Sequence, residues 1–204
     1  LMSAERPSNF LFLEAHDRQL VRLGLLAERY FAADPNTCLL KLRQLTEFVA
    51  QLVASRVGLY TSAEEKQVAL LRRLQDHGIV PREVGALFHE VRKAGNDASH
   101  KLADDHRTAL FSLRLAWQLS VWFHRTFKDQ GFKSGPFLPP APPVNESTEL
   151  KAELDSLRTE LATFRAAHQD ATQSLETTKA QVQQTQEERA FWETNDTADY
   201  VDWT

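Results

Sequence analysis

The sequence predicts an all-α protein: a compact five-helix bundle, a proline-rich linker and a long C-terminal coiled-coil helix. Three observations carry this reading. Apolar residues recur at spacings of three and four in five stretches between residues 9 and 128. No alternating, strand-type run occurs anywhere, and a heptad pattern of leucines begins just after residue 147. With 204 residues, of which 42% are hydrophobic and 25% charged, the chain can bury one ordinary core.

The first helical stretch, residues 9–33, aligns Leu13, Leu20, Leu23, Ala27 and Phe31 on one broad stripe and ends at the Asp34-Pro35 break. The second, 37–57, is almost continuous in Leu, Val, Phe and Ala up to Gly58, which predicts the central buried helix. The third opens on Ser62-Ala63-Glu64-Glu65, which has capping-box spacing, carries Val68, Leu70, Leu71 and Leu74, and stops at Gly78. In the fourth, Pro81 occupies the first turn, where its missing N–H is harmless, and Val84, Leu87, Phe88 and Val91 lead to Gly95, the expected helix stop. The fifth, 104–128, holds Leu110, Leu113, Trp117, Leu119, Val121, Trp122 and Phe127. Trp117, Trp122 and Phe123 lie inside this apolar stretch and are expected in the core rather than stacked on bases.

Residues 129–146 contain Gly131, Gly135 and five of the eight prolines, so the linker and the domain boundary are placed there. Charge changes across it: residues 1–146 carry 19 basic and 16 acidic side chains, residues 147–204 carry 5 and 12, and the whole chain is −4. In the coiled-coil segment, 147–193, Leu150, Leu154, Leu157, Leu161 and Phe164 form the seam, which weakens through His168, Ala171, Leu175, Thr178 and Val182. The seam can close on a second chain, as in a homodimer, on the bundle itself, or on the remainder of a longer parent protein. Residues 194–204 have neither a helix stop nor a cap and read as a truncated connection, and Leu1 ahead of Met2 reads as an added residue. The lone Cys38 excludes an intrachain disulfide framework, no apolar run is long enough to span a bilayer, and a cytoplasmic location is expected. His16, His89, His106 and His124 are scattered without metal-ligand spacing, so no metal site is expected.

One stretch carries chemistry. Arg92, Asn96 and His100 are spaced four apart and share a face if the helix continues past Gly95. Such a face could bind phosphate or perform acid–base work on a ribose-phosphate backbone. Around it, Arg72, Arg73, Arg82, Arg92, Lys93 and Lys101 are candidate nucleic-acid contacts, with Glu83, Glu90 and Asp97 interleaved.

The run Val91 to His100, preceded by Gly78 to Val84 and followed by Leu113 to Ala116 and Trp122 to Phe127, resembles a helical domain of unassigned function related to the HEPN superfamily. That domain is similar to one at the N-terminus of type I restriction enzyme R subunits, where a Pro-rich spacer and a charged coiled coil follow. A closing Glu-Arg-Ala-x-Trp-like element is matched by Glu188, Arg189, Ala190 and Trp192. The resemblance implies a non-catalytic interaction and positioning module, with other restriction-modification subunits and DNA as partners. It also implies a nuclease and an ATP- and Mg²⁺-dependent motor elsewhere in the parent. This chain has no phosphate-loop motif and no nuclease signature, so no cofactor is expected within it. The alternative is a HEPN-like ribonuclease or nucleic-acid-binding domain. Asn96 and His100 fit the ribonuclease pattern, but Gly95 stands where the family's Arg would be and Arg92 lies one turn too early.

Overall fold

In the computed structural model the described residues are 7–100, 105–143 and 148–196, and the side chains of His100, Glu149 and 191–196 fall outside the description. Every regular element among them is helical: a 3₁₀ turn, Leu11–Ala15, then α1 (Arg18–Tyr30), α2 (Pro35–Arg56), α3 (Gln67–Asp76), α4 (Arg82–His100), α5 (His106–Phe127) and α6 (Thr148–Asp196). The chain divides into two compact units, with the boundary after Arg158, inside α6.

In the first unit α2 is the hub, packing against α1, α3, α4 and α5. Its sequence explains this position. Cys38, Leu39, Leu42, Leu45, Val49, Ala50, Val53 and Ala54 are all buried, a wider apolar arc than a surface helix carries. Burial also pushes the Cys38 thiol well above its ordinary pKa, which makes it inert. Aspartates set the starts of α2 and α5. Asp34 accepts from the Thr37 N–H at 3.0 Å ahead of α2, and Asp105 accepts from the Thr108 N–H at 3.0 Å ahead of α5.

The structure differs from the sequence reading in the first, third and fourth helical stretches. The first stretch is a 3₁₀ turn and a helix, because the Asp17 side chain accepts from the Gln19 N–H at 2.7 Å and starts α1 afresh. The third helix begins at Gln67, not at Ser62. Glu65 does not act in a capping box; it receives hydrogen bonds from Thr61 at 2.8 Å and from Arg73 at 2.5 Å. The fourth helix continues through Gly95 to His100. A Cβ at residue 95 would lie 2.7 Å from Cβ of Arg43, so this glycine permits α4 to lie close on α2 rather than ending the helix.

The proline-rich stretch is extended, and it is also bound to the bundle. Asn9 donates to the Leu138 carbonyl at 2.8 Å and accepts from the Leu138 N–H at 2.7 Å, while Phe137, Pro140 and Pro143 are buried. Asn9 also donates twice to Glu28, from its N–H at 3.0 Å and its side chain at 2.6 Å, which ties this clamp to α1. Trp117 lies against Phe137, with ring centroids 5.7 Å apart; Trp117 and Trp122 are half-buried on the core and Phe123 is fully buried.

Two glycines in α4 provide a test of the helix contact. Gly95→Ala forces Cβ onto the stem of Arg43 and is expected to destabilise the chain by about 1–3 kcal/mol. At Gly85 the obstruction is the flexible Gln75 amide, so Gly85→Ala is expected to be neutral or stabilising by up to about 1 kcal/mol. Urea denaturation of both variants checks the contrast.

Candidate functional site

Continuation of α4 past Gly95 places Arg92 and Asn96 on one face, and both line a cleft between α2, α4 and the start of α3. Both are half-buried, and Arg92 lies 3.3 Å from Nδ1 of His89 on its own helix. His100 belongs to the same helix, but its side chain is outside the described residues, as is Lys101 altogether. The remaining basic residues do not behave as one patch. Arg72, Arg82 and Lys93 are exposed, whereas Arg73 is held by Glu65, and the Arg73 hydrogen bond lowers the Glu65 carboxyl below its ordinary pKa. Among the described residues no group of three or more His, Cys, Asp or Glu comes together to hold a metal ion. None of their helices is long and apolar enough to cross a membrane.

The heptad leucines divide into two sets. Leu150, Leu154 and Leu157 are 1%, 0% and 4% exposed and belong to the core of the bundle itself. Of the three possible closures of the seam, the first turns of α6 therefore use the bundle. Leu161 is half-buried, and Phe164, Leu175 and Val182 are 44%, 56% and 51% exposed.

Sequence reasoning missed a polar cluster at the other end of α2. Nη1 of Arg56 lies 2.8 Å from Nδ1 of His16, and Nε2 of His16 lies 3.0 Å from Nδ1 of His124. One proton arrangement satisfies both contacts. Arg56 donates to His16, whose proton therefore sits on Nε2 and is donated to His124. Arg56 also lies over the rings of Phe123 and Phe127, at 5.0 and 5.8 Å. Burial first, then the charge of Arg56 and the neighbouring His124 and Lys128, lower His16 from 6.5 to about 4. Burial likewise lowers His124, with Lys128 adding to the effect and Asp129 opposing it. The cluster is thus a hydrogen-bonded latch of two neutral imidazoles beside the Arg56 cation, joining the N-terminal segment, α2 and α5. No local signal reveals it, because His16 and His124 are 108 positions apart.

Residues 26–115 match DUF4145, a domain of unknown function. Over 175 residues, 82% of its length, the chain is 32% identical to the type I restriction enzyme EcoKI endonuclease subunit of Escherichia coli K12. The chain is thus similar to a type I restriction endonuclease subunit, and it spans 15% of the length of that relative. No solved structure matches the chain.

Two outcomes follow from this geometry. Leu154→Ala is expected to cost about 2–5 kcal/mol of stability at every protein concentration, because its partner is the chain's own core; chemical denaturation over a concentration series checks this. For the latch, the folded state prefers neutral imidazoles, so their stabilisation is complete above about pH 6.5 and declines as pH falls toward about 4. Urea midpoints measured from pH 8 to 4 should show that loss, and His16→Gln should lower the midpoint at pH 7 while flattening the acid limb.

Proposed function

We propose that this chain is an interaction and positioning module of a type I restriction R subunit, without catalytic turnover of its own, and that it acts in a cytoplasmic restriction system. The observation that carries the reading is its identity to such a subunit along 82% of its own length, across only 15% of the relative. On this reading the ATP- and Mg²⁺-dependent motor and the nuclease belong to the rest of the subunit. The second unit supports an interaction role. From residue 162 to 190 every residue is exposed, Phe164, Leu175 and Val182 among them. A single helix of this kind has little stability unless another surface covers its apolar positions. The occupant of that stripe is another subunit of the restriction-modification complex, through a coiled-coil contact, and exposed Arg72, Arg82 and Lys93 supply auxiliary contacts to DNA.

The reading is tested in the whole R subunit reconstituted with its specificity and methylation partners. Replacing Leu175 and Val182 together with Ser is expected to weaken assembly about tenfold or more, with the melting of the bundle unchanged. Assembly and DNA cleavage that survive both this change and deletion of residues 1–193 would overturn the proposal.

A further inference from the structure

The cleft that receives Arg92 and Asn96 has a volume of about 420 Å³, within the range of small-molecule sites. Its charge is already partly accounted for. The Glu47 carboxylate on its wall is paired with Nε of Arg43 at 2.8 Å, and that of Glu65 is held by Arg73 at 2.5 Å. Two cations on the wall, Lys66 and Arg92, pair with no carboxylate among the described residues. They come from different elements: Lys66 precedes α3 and Arg92 is on α4.

Amides accompany these cations. Gln67 lines the cleft, and both its Nε2 and its Oε1 are buried without a hydrogen-bond partner among the described residues. Leaving a buried amide unsatisfied is costly, so a native structure normally gives it a partner. The Asn96 and Gln51 amides share the wall. No side chain caps the start of α3 at Lys66; the Ala69 and Leu70 N–H groups bond the Lys66 carbonyl, which leaves the Gln67 and Val68 N–H groups at the helix start for an acceptor.

We infer that this cleft binds a small phosphate ester, held by Arg92 and Lys66 and oriented by Gln67 and Asn96. A phosphoryl group is favoured over a carboxylate because it offers three or more oxygens to donors arriving from two helices, and the planar fork of Arg92 suits two of them. A small ligand is favoured over a nucleic-acid strand because the basic residues outside the cleft do not line it. No aromatic ring does so either, so the cleft offers no base-stacking platform. The inference stands independently of the positioning role.

The test is titration calorimetry of the full chain with inorganic phosphate, pyrophosphate and adenosine 5′-monophosphate. Saturable binding of at least one probe is expected, weakened about tenfold or more by Arg92→Gln and by Lys66→Gln, and decreasing with salt. Gln67→Leu separates a ligand contact from a merely structural role. It should weaken binding while leaving the melting temperature equal or higher, because the unsatisfied amide is gone. No saturable binding of any probe would overturn the inference, as would affinities unchanged in all three variants. Tighter binding of a short oligonucleotide that depends on Arg72 and Arg82 rather than on Gln67 would also overturn it, in favour of an open nucleic-acid surface.

Discussion

Helix α4 reaches α2 at close range because residue 95 has no side chain, and much of the first unit follows from that approach. With Cβ of Arg43 only 2.7 Å from where a residue-95 Cβ would sit, the two backbones are nearer than any other residue type would permit. A glycine within a helix costs about 1 kcal/mol relative to alanine. It is offset here by what the approach buries, since Val91 and Phe88 on α4 are fully buried with Leu42, Leu45 and Val49 of α2 in one core. The same contact turns the stem of Arg43 under α4 and leaves its guanidinium beside Glu47. A wall of the cleft is therefore a by-product of helix packing, and Arg92 and Asn96, one turn apart on the other wall, are positioned by rigid elements rather than by a loop.

Fold class and most helices were legible because they rest on local signals. The apolar arc of α2, the break at Asp34-Pro35 and the periodicity of α5 all lie within a few residues of what they determine. Gly95 was misread for a physical reason. Glycine is both the preferred helix terminator and the residue that close helix contacts require, and the sequence does not distinguish these uses without knowing what lies opposite. Ser62 to Glu65 failed for a related reason, because a carboxylate with capping-box spacing found a stronger partner in Arg73, eight residues on. The Asn9 clamp on Leu138 spans 129 positions and the His16–His124 contact 108, so neither has a local signature. Of the candidate site, the Arg92–Asn96 pairing was readable from a spacing of four, whereas Lys66 and Gln67 enter it only through tertiary structure.

The heptad leucines illustrate a more general limit. A stripe with a seven-residue repeat reports that one side of a helix is apolar, but not whose surface covers it. Leu150, Leu154 and Leu157 are covered by the bundle of the same chain, and the residues continuing that register, Phe164, Leu175 and Val182, are exposed. Their chemistry differs only in degree. The first set is all leucine and closely spaced, and the later positions are interrupted by His168, Ala171 and Thr178, which bury less apolar area and hold a partner less tightly.

That gradient has a functional logic. Each buried leucine contributes about 1.5–3 kcal/mol when removed from water, so three of them anchor the first turns of α6 firmly enough for those turns to be part of the bundle's core. A sparse stripe of Phe164, Leu175 and Val182 supplies less, and spreads it over 19 residues. Contacts of that strength form and dissolve more readily than a core does, and they are specified mainly by the flanking charges. In this segment those charges are predominantly acidic: residues 159–190 hold five acidic and three basic side chains. On the proposed interaction role, a partner matched to such a stripe would present a few apolar sockets set in a basic surround, away from the cleft between α2, α3 and α4. On the readings proposed above, one chain carries two recognition surfaces of unlike chemistry, a sparse apolar stripe with acidic flanks on α6 and a polar cleft between α2, α3 and α4.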